Sequence, residues 1–186
     1  MDYRNILIEL DELSLKETFD KYDLMEIIND YISIISTYDL MLFTEDMRKD
    51  WSHVSAKFRN EYMDFHINNF INMMLKMMHK HDVENKIINK EDFNFCLEVL
   101  KKRFNAEVQD IDLNMNKFPL VKLIATIYLT FIIEEPIHPV GTVFPGDFKV
   151  EEKDGKYWCP VKDKQMKTEE SSCRLCIAKQ TPNVEL

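Results

Sequence analysis

Pro119-Leu-Val-Lys-Leu-Ile-Ala-Thr-Ile-Tyr-Leu-Thr-Phe-Ile-Ile-Glu-Glu-Pro-Ile-His-Pro-Val-Gly-Thr-Val-Phe-Pro-Gly146 contains the point where the chain changes character. Its first half, Leu120–Ile133, is the most apolar run in the protein and is interrupted by Lys122. Its fourteen residues at ~1.5 Å each would span roughly 21 Å, short of the ~30 Å hydrocarbon core of a bilayer. The run therefore reads as a buried core helix. Pro119 suits its first turn, where a missing amide hydrogen costs little, and Pro136 and Pro139 end it. The second half, from Glu135 on, is loop. Prolines fix φ and glycines permit positive φ, so such a segment holds a defined shape without regular structure.

Working outward, all six prolines lie at or after Pro119 and all three glycines lie between Gly141 and Gly155. Residues 1–118 thus lack the strongest helix breakers, and helices joined by Asp, Asn, Ser and Thr turns are expected. Ser14 with Glu17, and more loosely Asp23 with Glu26, have capping-box spacing. Ile27, Ile28, Tyr31, Ile32, Ile35, Tyr38 and Leu42 recur at helical spacing. A further helix includes Phe58, Tyr62, Phe65, Asn69, Met73, Met77 and Lys80. Another starts near Asn89 and carries Phe93, Cys96, Leu97, Leu100 and Phe104, and residues 105–117 read as a connection. The Met73, Met74, Met77, Met78 stripe reads as core packing. Downstream, Phe148 to Pro160 reads as a β-hairpin with an Asp154-Gly155 turn. The expected fold is mainly α. A bundle of five or six helices over 1–136 is followed, over 137–186, by a Pro/Gly-rich loop, hairpin and cysteine module packed on it.

The 186 residues are 45% hydrophobic and 31% charged, with a formal net charge of −9. That is globular composition. Residues 147–186 hold eight basic and eight acidic side chains, so the negative excess belongs to the helical part. A neutral tail on an acidic body disfavours nucleic acid, which needs clustered cations. The start, Met1-Asp-Tyr-Arg4, lacks the basic and apolar regions of an export signal. A cytoplasmic location and reduced cysteines are expected, with no membrane contact.

Cys159, Cys173 and Cys176 fall within eighteen residues. Cys173-Arg-Leu-Cys176 has the spacing by which two thiolates converge on one tetrahedral ion. The hairpin can deliver Cys159 to the same point, and His138 is the candidate fourth ligand. Cys96, among Phe93, Phe95, Leu97 and Leu100, reads as packing. A three-Cys, one-His set would hold structural zinc. A [4Fe–4S] cluster is the alternative, as is an open-site metal enzyme or redox protein with His138 as acid–base group. Reduced packed thiols, or Cys173 and Cys176 as a redox pair, also stand open. Gly141 and Thr142 would face a ligand if the loop carries function; otherwise the loop is only a connector. His53, His66, His79 and His81 match no metal pattern, and Glu134-Glu135 reads as a solvated helix end. No nucleophile-elbow, phosphate-loop, dinucleotide or H-E-x-x-H pattern occurs, so nothing in the chain names a reaction, and a role through a protein partner fits it better.

His138-Pro139-x-Gly141-Thr142-x-Phe144-Pro145-Gly146, then Tyr157-Trp158-Cys159-Pro160-Val161-Lys162, then Cys173-x-x-Cys176, resembles the C-terminal signature of an uncharacterised protein family found chiefly in methanogenic archaea. The likeness is confined mainly to residues 135–180. It implies an anaerobic archaeal cytoplasm, where an iron–sulfur centre is easier to keep. It also marks His138, Cys159, Cys173 and Cys176 as functional positions.

Overall fold

A computed structural model describes residues 3–50, 56–79, 82–109, 112–113, 116–144, 146–169 and 171–184. The expected positions Lys80, His53, His81 and Pro145 lie outside them, as does part of the 105–117 connection. The described residues hold seven α-helices. Six form the body: α1 (Asn5–Leu15), α2 (Lys21–Ile32), α3 (Thr37–Asp50), α4 (Ala56–Met78), α5 (Lys90–Glu107) and α6 (Phe118–Ile127). The seventh, α7 (Lys162–Gln165), is a single turn in the tail. No helix among the described residues is long and apolar enough to cross a membrane.

Local signals placed some boundaries and missed others. Asn89 caps α5, its side chain accepting from the Asp92 amide at 3.0 Å. Pro119 sits in the first turn of α6. Two expectations are corrected. The capping residue of α2 is Asp20, paired with Asp23 in a reciprocal box, whereas Ser14 lies near the end of α1 and donates to the Asp11 carbonyl at 2.7 Å. The periodic run Ile27–Leu42 is also two helices, not one. Between them Ser36 and Asp39 make a second reciprocal cap: the Asp39 carboxylate accepts from the Ser36 amide at 2.8 Å, and the Ser36 hydroxyl from the Asp39 amide at 3.2 Å. Orphan amides are satisfied at that point, so a new helix can begin without glycine or proline.

The body core is continuous. α1 packs on α2 and α5, α5 on α6, and α4 on α2 and α3. α6 is buried on nearly every side, from Pro119 to Ile127 except Lys122, as its uniform hydropathy requires. Met73, Met74 and Met77 are buried in α4, so the methionine stripe is core. After Ile127 the helix widens to a π-turn, Tyr128–Ile132. The Glu134 backbone then turns left-handed at φ 53°. Glu134 is more than a solvated end, because its carboxylate accepts from the buried Lys21 ammonium at 2.6 Å. The same ammonium caps the Ile132 carbonyl at 2.7 Å.

The tail contains two small sheets. β1 (Val143–Phe144) pairs antiparallel with β2 (Phe148–Lys149). β3 (Glu151–Lys153) and β4 (Lys156–Cys159) form the expected hairpin, and β5 (Lys179–Gln180) adds to β4 in parallel. Asp154 and Gly155 both have positive φ, 54° and 68°, as a two-residue hairpin turn of matching twist demands. Among the described residues, the tail's own buried core is Phe144, Val150, Cys159 and Ala178, with Tyr157, Val161 and Cys176 packed against it. Leu175 instead inserts into the core of the helical body.

Candidate metal centre

The three clustered cysteines are delivered by three different local devices. Cys159 ends β4, where its carbonyl accepts from Thr181 at 3.0 Å and its side chain enters the small tail core. Cys173 lies in a short 3₁₀ turn, Ser172–Arg174, opened by the Ser171 hydroxyl accepting from the Cys173 amide at 3.2 Å. Cys176 follows that turn, and its sulfur accepts from the Ile137 amide at 3.3 Å. This last contact ties the Pro-rich loop to the cysteine pair.

Lys162 closes the turn from beneath. The residue is buried, and its ammonium donates to the carbonyls of both Cys173 and Cys176, the latter at 2.6 Å. A buried ammonium is tolerated because charge-assisted hydrogen bonds replace its hydration. It bonds the Cys176 carbonyl and adds a second donor to the Cys173 carbonyl, which also accepts from the Cys176 amide at 3.3 Å.

The three thiols lie within one another's electrostatic field. Burial pushes the Cys159 thiol above its ordinary range, and Cys176 and Cys173 add to that, against lowering by the Val161 amide and Lys162. Burial likewise raises Cys173, and Cys176 raises it further, while Ser171 and Lys162 pull the other way. Cys96, by contrast, is a buried α5 core residue whose thiol burial alone pushes up to about 12. It is packing, as its apolar neighbours imply. Among the described residues, no three His, Cys, Asp or Glu side chains stand together as a metal-holding group.

His138 is half-buried beside this cluster. Its ring meets Phe144 edge-on at 5.4 Å, and Phe144 shares the small tail core with Cys159. On its other side it faces α4, with the His66 ring at 5.7 Å and the Tyr62 ring at 6.4 Å. Burial pushes the His138 imidazole down to about 4, with His66 contributing, and burial pushes His66 down to about 4 as well. Burial also raises the Tyr62 hydroxyl, and Cys173 and Cys159 raise it further, so α4 is in the same electrostatic neighbourhood as the thiols. Sequence reasoning missed Tyr62 and His66. The available signal was their spacing of four residues, which stacks the two rings on one helix face at 5.5 Å.

Gly141 and Thr142 are engaged within the loop. The Gly141 amide donates to the Val150 carbonyl at 2.9 Å. Thr142 is fully buried and its hydroxyl donates to the Pro139 carbonyl at 2.6 Å. Gly141 approaches α4 closely: a β-carbon there would lie 3.5 Å from the Phe65 ring.

With this geometry in view, the family model that matches residues 20–181 is that of uncharacterised proteins conserved in archaea, DUF2115. The chain belongs to this family. A UPF0305 protein of Methanothermobacter thermautotrophicus is 31% identical over 148 residues, covering 80% of this chain and 88% of that protein. UPF0305 protein MJ0646 of Methanocaldococcus jannaschii is 27% identical, covering 84% of this chain and 94% of that protein. A Methanococcus maripaludis relative, MmarC7_1691, is 30% identical, covering 78% and 87%. No solved structure matches. The match extends through most of the helical body, further than the C-terminal signature alone implied.

Proposed function

We propose that the tail of this family member is a structural metal module. It takes up one zinc ion through Cys159, Cys173 and Cys176, with His138 as fourth ligand, and the protein acts through contacts with a protein partner. What supports this reading is that Cys159 and Cys173 are buried and Cys176 half-buried in one small tail, close enough that Cys176 raises both Cys159 and Cys173 and Cys173 raises Cys159. Thiolates sharing a site resist ionising together without a cation, and a divalent ion would remove the penalty that holds the Cys159 and Cys173 thiols up. The Ile137 amide on the Cys176 sulfur is the sort of outer contact that tunes a metal thiolate. Binding would bring each sulfur to ~2.3 Å from the ion, so uptake and ordering of the tail are coupled.

A second reading has its own support. His66 lies between His138 and an adjoining cleft. An iron–sulfur cluster, or a three-thiolate ion with an open fourth position, would then have His138 as its acid–base group. Anaerobic purification separates the two. About one equivalent of zinc in colourless protein is the expected result. Absorption near roughly 400 nm with bound iron would establish the second reading. Cys173→Ser should abolish metal content, and unchanged content in that variant would remove both.

A further inference from the structure

The turn that carries Cys173 and Cys176 is closed on itself. The Cys176 amide donates to the Ser172 carbonyl at 3.2 Å and to the Cys173 carbonyl at 3.3 Å, so both cysteines belong to one helical turn. Residues i and i+3 of such a turn have α-carbons roughly 5–6 Å apart and side chains on the same side. A disulfide needs ~4.4–6.8 Å between its α-carbons. Two groups that are not thiols hold the turn in this shape. The Lys162 ammonium donates to the Cys173 and Cys176 carbonyls, and Leu175, between the two cysteines, inserts into the body core.

The two cysteines differ in access. Cys173 is buried and Cys176 is half-buried. Cys176 borders a cavity of about 330 Å³ where α5 meets the tail, together with Phe95, Glu134 and Arg174. Its sulfur is held by the Ile137 amide at 3.3 Å. Cys159 is the rival partner, but it is buried at the end of β4, paired with Gln180 of β5, and a bridge to it would close a longer loop. Cys96 borders the same cavity but is buried in the core of the body.

We infer that Cys176 is a thiol-modification site: it exchanges with a low-molecular-weight disulfide, and Cys173 resolves the adduct to a Cys173–Cys176 disulfide within the existing turn. In the first step the Cys176 sulfur attacks one sulfur of the small disulfide. A mixed S–S bond forms, the small disulfide's own bond breaks, and one small thiol leaves with the Cys176 proton. In the second step the Cys173 sulfur attacks the Cys176 sulfur, the mixed bond breaks, and the second small thiol leaves with the Cys173 proton. The cysteine pair loses two electrons and the small disulfide gains them. The oxidised tail then lacks two of the three thiols proposed above as ligands and should not take up zinc. That consequence rests on the metal reading, whereas the exchange does not.

Mass spectrometry of the full chain tests this, after chelator treatment and reaction with bis(2-hydroxyethyl) disulfide. The wild type should lose two hydrogen atoms in mass, carry no adduct, and give a Cys173–Cys176 link on peptide mapping that a dithiol reverses. Cys173→Ser should stop at one adduct on Cys176. Cys176→Ser should modify Cys173 at least roughly tenfold more slowly than the wild type modifies Cys176. A persistent adduct on the wild type, a disulfide that includes Cys159 or Cys96, or equally fast reaction in Cys176→Ser would overturn the inference. Zinc added to the reduced and the oxidised protein separates the two readings. Uptake by the reduced form alone fits both, and a Cys173–Cys176 disulfide in a protein that takes up no zinc in either state upholds the exchange while removing the metal reading.

Discussion

The helical body and the tail solve the same problem with different means. The body has a continuous core running from Ile6 to Ile132, with Tyr31, Tyr128, Phe93 and Leu120 almost entirely removed from water. Fully burying each such side chain contributes about 1.5–3 kcal/mol, which suffices for a domain of this size. The tail has four buried core residues, short strands and one helical turn. A unit that small rarely holds itself by burial and needs a staple. What it has instead is a buried lysine gripping two carbonyls, one leucine borrowed by the body core, and three cysteines within one short stretch of chain. The difference teaches that stability in the tail is concentrated in a few atoms, so single changes should matter more there than in the body.

The largest effect expected from a single packing change is at the joint. Leu175→Ala empties a slot in the body core and frees the tail from it, at a cost of about 3 kcal/mol read by chemical denaturation. Loss of the tail without a shift in the body's unfolding midpoint would show that Leu175 is not shared. Next, Lys162→Met removes the ammonium from the Cys176 carbonyl and leaves the Cys173 carbonyl with only its backbone donor. About 2 kcal/mol should be lost from the tail alone, measured by hydrogen exchange of residues 156–181 with the helical amides as internal control. If the helices lose protection equally, the two regions are one cooperative unit.

Thiol chemistry sharpens the same contrast. Cys96 is buried in the body with its thiol pushed up to about 12. Native protein treated with chelator and iodoacetamide should alkylate Cys159, Cys173 and Cys176 while Cys96 stays unmodified. Modification of Cys96 alongside them would mean that the body opens too.

The smallest effect concerns the break between α2 and α3. Burial alone would raise the Asp39 carboxyl, but Lys117 and Ser36 outweigh it and hold its pKa below the ordinary value. The folded-state pKa is therefore depressed, so the contribution is present above the unfolded value and is lost as pH falls through the folded one. Asp39→Asn should cost about 1 kcal/mol at neutral pH, and the gap from wild type should close in acid. A gap that persists at the lowest pH would assign the effect to geometry, not charge.

Much of this was legible in the sequence, and the failures have physical causes. The restriction of glycine and proline to the chain after residue 118 separates body from tail, and Asp154-Gly155 sets the hairpin. Asn89, Pro119, the packing role of Cys96 and the buried methionine stripe could also be read directly, because each depends on local chemistry. The break at Ser33–Ser36 was hidden because Ile27–Leu42 keeps helical periodicity across it, and only the reciprocal Ser36–Asp39 bonds reveal the new start. Tyr62 and His66 were invisible as site neighbours because tertiary packing alone brings α4 against the His138 loop. The parallel pairing of β5 with β4 was hidden for the same reason: it joins residues about twenty positions apart.

The central claim is that a bound ion holds the tail in place while the body needs none. Hydrogen exchange on anaerobically purified protein, with and without a zinc chelator, tests it directly. The account predicts that the chelator collapses protection across residues 138–180 and leaves α1, α2, α5 and α6 unchanged. Identical protection of the tail in both samples would contradict it.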